Sequence, residues 1–204
     1  MSDRTPEERL NGPYGVTPRA AERIFDTARD LFYREGIRAV GVDEIVTKAG
    51  VTKPSLYRSY KSKDELVAAV LREVEVGFWD RFEAAEALYP NDAKAQMLAY
   101  FGVLSDRSGG DDYRGCNLSN AVVEYPDRQH AGRQVSQAHK QQLRDRLHAK
   151  AAEMGASDPK ALGDAMMLLI EGVFTSSQMF DGDDKPAKAV VGAVKALIAA
   201  YCPA

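Results

Sequence analysis

Apolar residues recur at helical spacing along most of the chain. In residues 18–35 they fall at i, i+1, i+4, i+7 and i+8, which forms one stripe along a helix. Thr17 is suited to cap that helix and Pro18 to open it. No segment shows the apolar–polar alternation of a strand, so the pattern predicts an all-α fold of about nine helices. The predicted helices are 18–35, 42–49, 52–60, 64–88, 92–104, 116–124, 127–154, 159–180 and 186–201.

Breaks in this pattern divide the chain. Residues 1–16 are polar and contain Pro and Gly, so they are predicted to form a disordered arm. Residues 105–115, SDRSGGDDYRG, are predicted to form a flexible loop. We expect residues 17–63 to form a first domain and residues 64–204 a second, joined through the long helix that opens the second domain.

Residues 42–66, VDEIVTKAGVTKPSLYRSYKSKDEL, carry the most specific local pattern. Two short helices separated by a Gly-containing turn indicate a helix-turn-helix, whose second helix enters the major groove of DNA. Lysine and arginine side chains attract phosphates, and hydroxyl groups donate to phosphates or base edges. The candidate DNA-contacting residues are Thr52, Lys53, Ser55, Tyr57, Arg58, Ser59, Tyr60 and Lys63.

The run AGVTKPSLYRSYKSKDEL, preceded by FYREGIRAVGVDEIV, resembles the N-terminal domain of the TetR family of transcriptional regulators. In that family the recognition helix has Leu-Tyr, an aromatic residue and Lys at fixed spacing, which here are Leu56, Tyr57, Tyr60 and Lys63. The resemblance covers about residues 18–70. It implies a transcriptional repressor that binds double-stranded DNA at a near-palindromic operator. It also implies that a small-molecule effector releases the repressor from the DNA. It also implies that Lys63 contacts phosphate.

The last two predicted helices carry apolar and small residues at helical spacing, and such helices pack closely. The resemblance implies that they form a four-helix bundle with the same helices of a second copy, giving a homodimer. An ordinary internal core is the alternative. If the stripes face the partner, Val194→Asp should yield monomers.

Large apolar residues with a few polar groups among them mark a candidate effector pocket after about residue 66. Glu171 lies within an apolar stripe, where an unpaired carboxylate is costly, so it should meet a cationic group of a ligand or a nearby Arg. Core packing is the alternative for the apolar members. The candidate ligand-binding residues are Trp79, Phe82, Phe101, Cys116, Asn120, Met167, Glu171 and Phe174.

Cys116 follows Arg114-Gly115 and begins a predicted helix, a position at which thiols ionise more readily. The stretch RGCNLSNAVVE also resembles members of the same family that sense electrophiles through a cysteine. A thiol-based, redox-sensing repressor is therefore an alternative mechanism, and a buried structural role for Cys116 is another.

Charge is unevenly distributed: residues 1–63 carry a net +3, whereas residues 64–204 carry a net −6. A basic front on an acidic body suits contact with nucleic acid by one end only. The histidines, His130, His139 and His148, are nine residues apart and face alternate sides of a helix, so no metal site and no cofactor are expected.

The remaining sequence features narrow the function classes. Motifs such as GxSxG, the P-loop, HExxH and GxGxxG are absent, so an enzyme is not expected. There is no apolar run that could span a bilayer and no signal-peptide pattern, so a cytoplasmic protein is expected. A helical protein-interaction module with a helix-turn-helix that does not bind DNA remains the rival class.

Overall fold

The computed structural model describes residues 19–110, 112–180 and 185–203. Within them the protein has nine α-helices, one 3-10 helix and no β-strand, so the all-α prediction is confirmed. Among the described helices, none is long and apolar enough to cross a membrane. The helices are α1 (Ala20–Glu35), α2 (Val42–Lys48), α3 (Lys53–Ser59), α4 (Lys63–Ala87), α5 (Ala93–Ser108), α6 (Asn117–Glu124), α7 (Ala131–Glu153), α8 (Pro159–Ser176), the 3-10 helix (Pro186–Ala189) and α9 (Val190–Tyr201).

The start of α1 differs from the predicted boundary. α1 begins at Ala20 and is preceded by Arg19 as its N-cap. The predicted cap residues Thr17 and Pro18, like the predicted arm at 1–16, lie outside the described residues. The N-terminal boundary of this helix is therefore set two residues later than the periodic pattern placed it.

α5 extends into the segment predicted to be a flexible loop. Ser108 is buried, and its hydroxyl donates to the carbonyl of Ser105 at 2.6 Å, which closes the last turn of the helix. The Ser105 hydroxyl in turn donates to the carbonyl of Ala187 at 3.3 Å. Serines that form such bonds with nearby carbonyls are compatible with a helix end, so the polar composition of this stretch was misleading.

α7 and α8 are shorter than predicted. α7 begins at Ala131 because His130 acts as its N-cap, with Nδ1 accepting the backbone N–H of Gly132 at 3.2 Å. α8 ends at Ser176, and the next hydroxyl, that of Ser177, donates to the carbonyl of Phe174 at 3.2 Å. Both ends are therefore set by side chains that satisfy terminal backbone groups.

The chain divides into two compact units, with the boundary between Leu66 and Val67. In the first unit, α1 packs against both α2 and α3. Gly50 follows α2 with φ of +62°, a left-handed conformation that favours glycine, and the N–H of Val51 then bonds to the carbonyl of Val46 at 3.0 Å. The core of this unit comprises Ile24, Ala28, Leu31, Phe32, Ile37, Val40, Ile45, Val46 and Leu56.

In the second unit, α7 packs along α6 and α8, and α9 packs against α5 and α8. At the α7–α8 contact, Asp164 accepts two hydrogen bonds from Arg144, at 2.6 and 2.7 Å, and lies 2.7 Å from Nε2 of His148. The hydrogen bonds from Arg144 and then His148 hold the pKa of the Asp164 carboxyl well below its usual range. Gly163 of α8 lies beside this cluster, close to the backbone of His148 on α7.

The apolar stripes that were predicted to face a second copy lie inside the second unit. Leu162, Met166 and Ile170 of α8 have no exposed surface, and Val194 and Ile198 of α9 are equally buried. The internal-core alternative is correct for these residues. A charge at Val194 would therefore disrupt the core of the unit instead of separating two subunits, so that variant cannot test dimerisation.

We predict that Gly163→Ala destabilises the protein, because its Cβ would lie 2.9 Å from the backbone nitrogen of His148 and the close helix contact would have to open. The expected loss is about 1–3 kcal/mol in the free energy of unfolding. Gly102→Ala is the matched control: nothing lies within 4 Å of its added Cβ, and alanine favours a helix by up to about 1 kcal/mol. Urea denaturation at equal protein concentration measures both changes, and a Gly163→Ala protein as stable as the parent would contradict the close contact.

Candidate nucleic-acid interface and ligand site

α3 has one buried face and one exposed face. Leu56 is completely buried and anchors the helix, whereas Tyr57 is 50% exposed and Arg58 and Ser59 are exposed. Thr52 precedes the helix in an extended conformation and is also exposed. The polar side chains of this short helix therefore form a single accessible surface, which we call the α3 surface.

Hydrogen bonds within the α3 surface centre on Ser55. Its Oγ lies 3.1 Å from Oγ1 of Thr52 and accepts from Nη2 of Arg58 at 2.9 Å, while its carbonyl accepts from the hydroxyl of Ser59 at 3.2 Å. These groups are thus ordered before any partner binds. Because they are exposed, the same donors can exchange these bonds for bonds to a phosphate or a base edge at little cost.

Lys53 forms an ion pair with α2. Its Nζ lies 2.7 Å from the Asp43 carboxylate, and the hydrogen bond to Asp43 raises the pKa of Lys53 above its usual value. Both side chains are largely exposed, and ion pairs of this kind add little stability. Lys53 is therefore a cation on the α3 surface that can leave Asp43 for a phosphate.

Lys63, the predicted phosphate contact, already has partners within the first unit. Its Nζ donates to the carbonyl of Ile37 at 2.5 Å and lies 5.9 Å from the centre of the Phe32 ring. The side chain is half-buried. An ammonium group has three donors, so a phosphate contact stays a prediction, but Lys63 also links the start of α4 to the segment after α1. Tyr60 is also half-buried, and burial raises the pKa of its hydroxyl.

Three of the predicted ligand residues lie together in an aromatic cluster of the second unit. Ring centroids are 5.7 Å apart for Trp79 and Phe82, 4.8 Å for Phe82 and Tyr100, and 5.8 Å for Tyr100 and Phe101. The cluster also contains Phe78, Tyr100 and His139, which were not among the predicted ligand residues. Phe78 lies one helical turn before Phe82 in the same apolar stripe. We define the aromatic cluster as Phe78, Trp79, Phe82, Tyr100, Phe101 and His139.

His139 is the polar member of this cluster. It is completely buried, and its ring lies 4.6 Å from that of Phe78 and 5.3 Å from that of Trp79. Burial lowers the pKa of His139 to about 4, so the imidazole is neutral at neutral pH. Its Nδ1 lies 3.5 Å from Oε1 of Glu75, and neither ring nitrogen has a hydrogen-bond partner among the described residues.

A second group of predicted residues surrounds Lys140. Glu171, the carboxylate in the apolar stripe, pairs with Nζ of Lys140 at 2.7 Å and accepts the hydroxyl of Ser119 at 2.8 Å. The same Nζ lies 3.7 Å from Sγ of Cys116 and 5.0 Å from the centre of the Phe174 ring. The cation near Glu171 is therefore a lysine of the chain itself, where the sequence suggested a ligand or an Arg.

The last two candidates contribute less directly. The Asn120 side chain donates to the carbonyl of Arg114 at 2.9 Å and so holds the loop before α6, while Met167 is half-buried on α8. Cys116 is buried and precedes α6 as its N-cap. Among the described residues, no group of His, Cys, Asp or Glu side chains is arranged to hold a metal ion.

A groove of about 440 Å³ lies between α4 and α7. Trp79 belongs to both the aromatic cluster and the wall of this groove, and the rest of the wall is mainly polar. The groove is lined by Trp79, Glu83, Gln142, Asp145, Arg146 and Ala149.

Comparison with known proteins matches the first unit to a family model. Residues 24–70 match the model described as bacterial regulatory proteins, tetR family. The chain is also 49% identical over 50 residues to the transcriptional activator FasR of Mycolicibacterium smegmatis. That match covers 24% of this chain and 23% of FasR, so it concerns only a short segment of each protein.

Two solved structures resemble nearly the whole chain. The TetR-family regulator SCO4454 from Streptomyces coelicolor is 31% identical, with 90% of this chain and 96% of that chain covered and a TM-score of 0.84. The regulator sav143 from Streptomyces avermitilis is 30% identical, with 89% and 97% covered and a TM-score of 0.77. Since fold and sequence agree over almost the full length, and the helix-turn-helix matches the family model, the chain belongs to the TetR family of transcriptional regulators.

Proposed function

We propose that this protein is a DNA-binding repressor that acts as a homodimer and leaves its operator when a small molecule binds the second unit. The observation that carries the proposal is the α3 surface, an ordered set of cationic and hydroxyl side chains on a helix anchored by Leu56. Such groups are suited to phosphates and to base edges in the major groove. Because a repressor acts on DNA, we propose that the protein is located with the DNA in the cytoplasm.

The dimer contact is proposed to use the outer faces of α8 and α9. Leu168 is 73% exposed, and it lies on one face of α8 with the exposed Gly172 and Thr175, at i, i+4 and i+7. On α9 the exposed residues Gly192 and Ala196 are small. Small side chains beside one large apolar residue allow two helix pairs to approach closely, which supports a four-helix bundle between two copies.

Two-fold symmetry of such a dimer would set the form of its operator. Two copies of α3 would contact two half-sites about 34–36 Å apart, or a little more, on a near-palindromic sequence. A charge-based, sequence-independent contribution from Lys53 and Arg58 would make binding fall steeply with salt concentration.

Release is proposed to run through α4. This helix begins in the first unit at Lys63 and continues into the second, where it carries Trp79 and Phe82 of the aromatic cluster. A ligand that displaces these side chains would move α4 and, with it, Lys63, the proposed phosphate contact at the start of the same helix. The ligand must bind the DNA-free state more tightly, by about 5- to 150-fold, to lower operator affinity by the same factor.

Two alternatives have support of their own. FasR is named an activator, so the sign of regulation needs a transcription assay with the selected operator placed upstream of a reporter. A thiol switch would act at Cys116, whose Sγ lies 3.7 Å from the Lys140 ammonium and so contacts the ion pair with Glu171.

We predict that residues of the α3 surface contribute in two distinct ways. Tyr57→Ala should weaken binding to a duplex selected by the parent protein by about 1–3 kcal/mol if the ring contacts a base. Arg58→Ala should weaken binding to selected and random duplexes alike and reduce the slope of log affinity against log salt by about one. Fluorescence anisotropy over a salt series measures both effects.

Two further variants make this experiment decisive. Arg107→Ala removes an exposed arginine of α5 and should leave DNA binding unchanged. Lys63→Ala should weaken binding and also cost about 1–3 kcal/mol of stability, because the bond to the Ile37 carbonyl is lost. If Tyr57→Ala and Arg58→Ala both bind like the parent, the chain is a protein-interaction module and the DNA-binding proposal is wrong.

We predict that Leu168→Glu yields folded monomers with little affinity for the full operator, because a carboxylate would be buried in the dimer contact. Analytical ultracentrifugation at micromolar concentration gives the mass, and circular dichroism checks the fold. Val194→Asp serves as the contrast: with Val194 completely buried in the protomer, its substitution should unfold the protein. A monomeric parent, or a dimeric Leu168→Glu variant, contradicts the proposed face.

We predict that release does not depend on the thiol. N-ethylmaleimide should leave the operator affinity of the parent equal to that of Cys116→Ser, because Cys116 is only 8% exposed. Cys202→Ser controls for the second, more exposed cysteine. Release of the parent and of Cys202→Ser, but not of Cys116→Ser, would instead establish the thiol switch.

A further inference from the structure

Three nitrogen atoms on two side chains of the aromatic cluster are buried without a hydrogen bond to any described residue. Nε1 of Trp79 and both ring nitrogens of His139 are inaccessible to solvent and have no hydrogen-bond partner among the described residues. The two rings are close, with centroids 5.3 Å apart and planes inclined at 58°. Buried polar atoms normally have partners, because leaving them empty forfeits the bonds they make to water.

The chemistry of these atoms defines what is missing. The carboxylate of Glu75, with Oε1 3.5 Å from Nδ1 of His139, favours the tautomer that carries its proton on Nδ1. Nε2 is then an acceptor, whereas Nε1–H of Trp79 can only donate. One hydroxyl group matches both, since it can donate to His139 and accept from Trp79 at the same time. A carbonyl or an ether oxygen can only accept and would leave Nε2 empty.

The surroundings of this pair indicate what carries the hydroxyl. Phe78 lies 4.6 Å from the His139 ring, and Phe82 lies 5.7 Å from the Trp79 ring, both measured between ring centroids. Aromatic walls of this kind favour a flat, apolar ring packed edge-to-face or offset. The groove of about 440 Å³ has Trp79, and no other member of the aromatic cluster, in its wall. Its volume is within the size range of small-molecule sites, so it would hold the part of the molecule that extends past Trp79 to the surface.

We propose that the effector is a hydroxylated aromatic molecule whose hydroxyl bridges Nε1 of Trp79 and Nε2 of His139 and whose ring packs in the aromatic cluster. This inference rests on the proposed ligand-released function and names the chemical class of its ligand. A water molecule could satisfy the same two atoms, but it would lack the apolar contacts that the surrounding rings offer and would find only two partners, where buried waters usually have about three.

The test uses three molecules that differ only at one group: 4-propylphenol, 4-propylanisole and propylbenzene. Titration calorimetry with the full-length protein in the absence of DNA measures their affinities. The chain has a single tryptophan, Trp79, so a change in tryptophan emission on titration reports binding at this position. We expect 4-propylphenol to bind about tenfold or more tightly than either of the other two, because only its hydroxyl pairs both nitrogens.

Matched variants locate the hydrogen bonds. His139→Phe keeps an aromatic ring but removes both nitrogens, and the preference for the phenol should fall to nearly one. His130→Phe is the same substitution at an imidazole that stacks on Tyr125, with ring centroids 3.6 Å apart, and it should keep the full preference. Trp79→Phe removes the N–H donor together with half of the indole ring and provides a second route, measured by calorimetry alone, if His139→Phe fails to fold.

The outcomes separate this inference from the proposed function. Equal affinities for the three molecules, no binding of the phenol at millimolar concentration, or an unchanged preference in both His139→Phe and Trp79→Phe would overturn the site and leave water as the partner. Operator affinity is measured separately with the selected duplex. If the phenol binds with the expected preference but leaves operator affinity unchanged, the site stands and ligand-controlled release fails.

Discussion

The α3 surface depends on the burial of one side chain, Leu56. α3 has only seven residues, and a helix of that length is unstable on its own in water. Its stability comes from packing: Leu56 is completely buried, and Gly50 allows the chain to turn between α2 and α3. The hydrogen bonds around Ser55 order the exposed side chains only because the backbone beneath them is already fixed.

Two polar clusters of the second unit, the half-buried groups around Lys140 and the buried nitrogens of the aromatic cluster, have opposite properties. Around Lys140 the charges are matched: Oε1 of Glu171 makes no hydrogen bond to a described residue but lies 2.7 Å from the ammonium in an ion pair, and Oε2 accepts from Ser119. In the aromatic cluster, Trp79 and His139 have nitrogens without partners. A satisfied polar cluster makes a fold specific, whereas an unsatisfied one raises the free energy of the empty state and favours whatever can complete it. This contrast is why the aromatic cluster, and not the cluster around Lys140, points to a ligand.

Sequence periodicity predicted the helices and the helix-turn-helix well, because both depend on local signals such as apolar spacing and a Gly-containing turn. It identified an apolar face on α9 but could not tell which surface covers it, and Val194 packs inside its own subunit. Lys63 was predicted from position in the motif, which gives no information about the distant carbonyl of Ile37. His139 could not be predicted as a ligand residue, because a single polar residue in a polar helix has no periodic signal and its aromatic neighbours, Phe78 and Trp79, come from α4.

The difference in burial between the exposed residues of α3 and Lys63 of α4 has a consequence for how such proteins diversify. Tyr57, Arg58 and Ser59 are exposed, so most substitutions at these positions change little in the packing of the unit. Lys63 is constrained by its bond to the Ile37 carbonyl, so changes there lower the stability of the first unit. Under the proposed function, mutations at these three exposed positions alter operator preference without a loss of stability. A duplicated copy of this gene could thus acquire a new target sequence in single, individually viable steps.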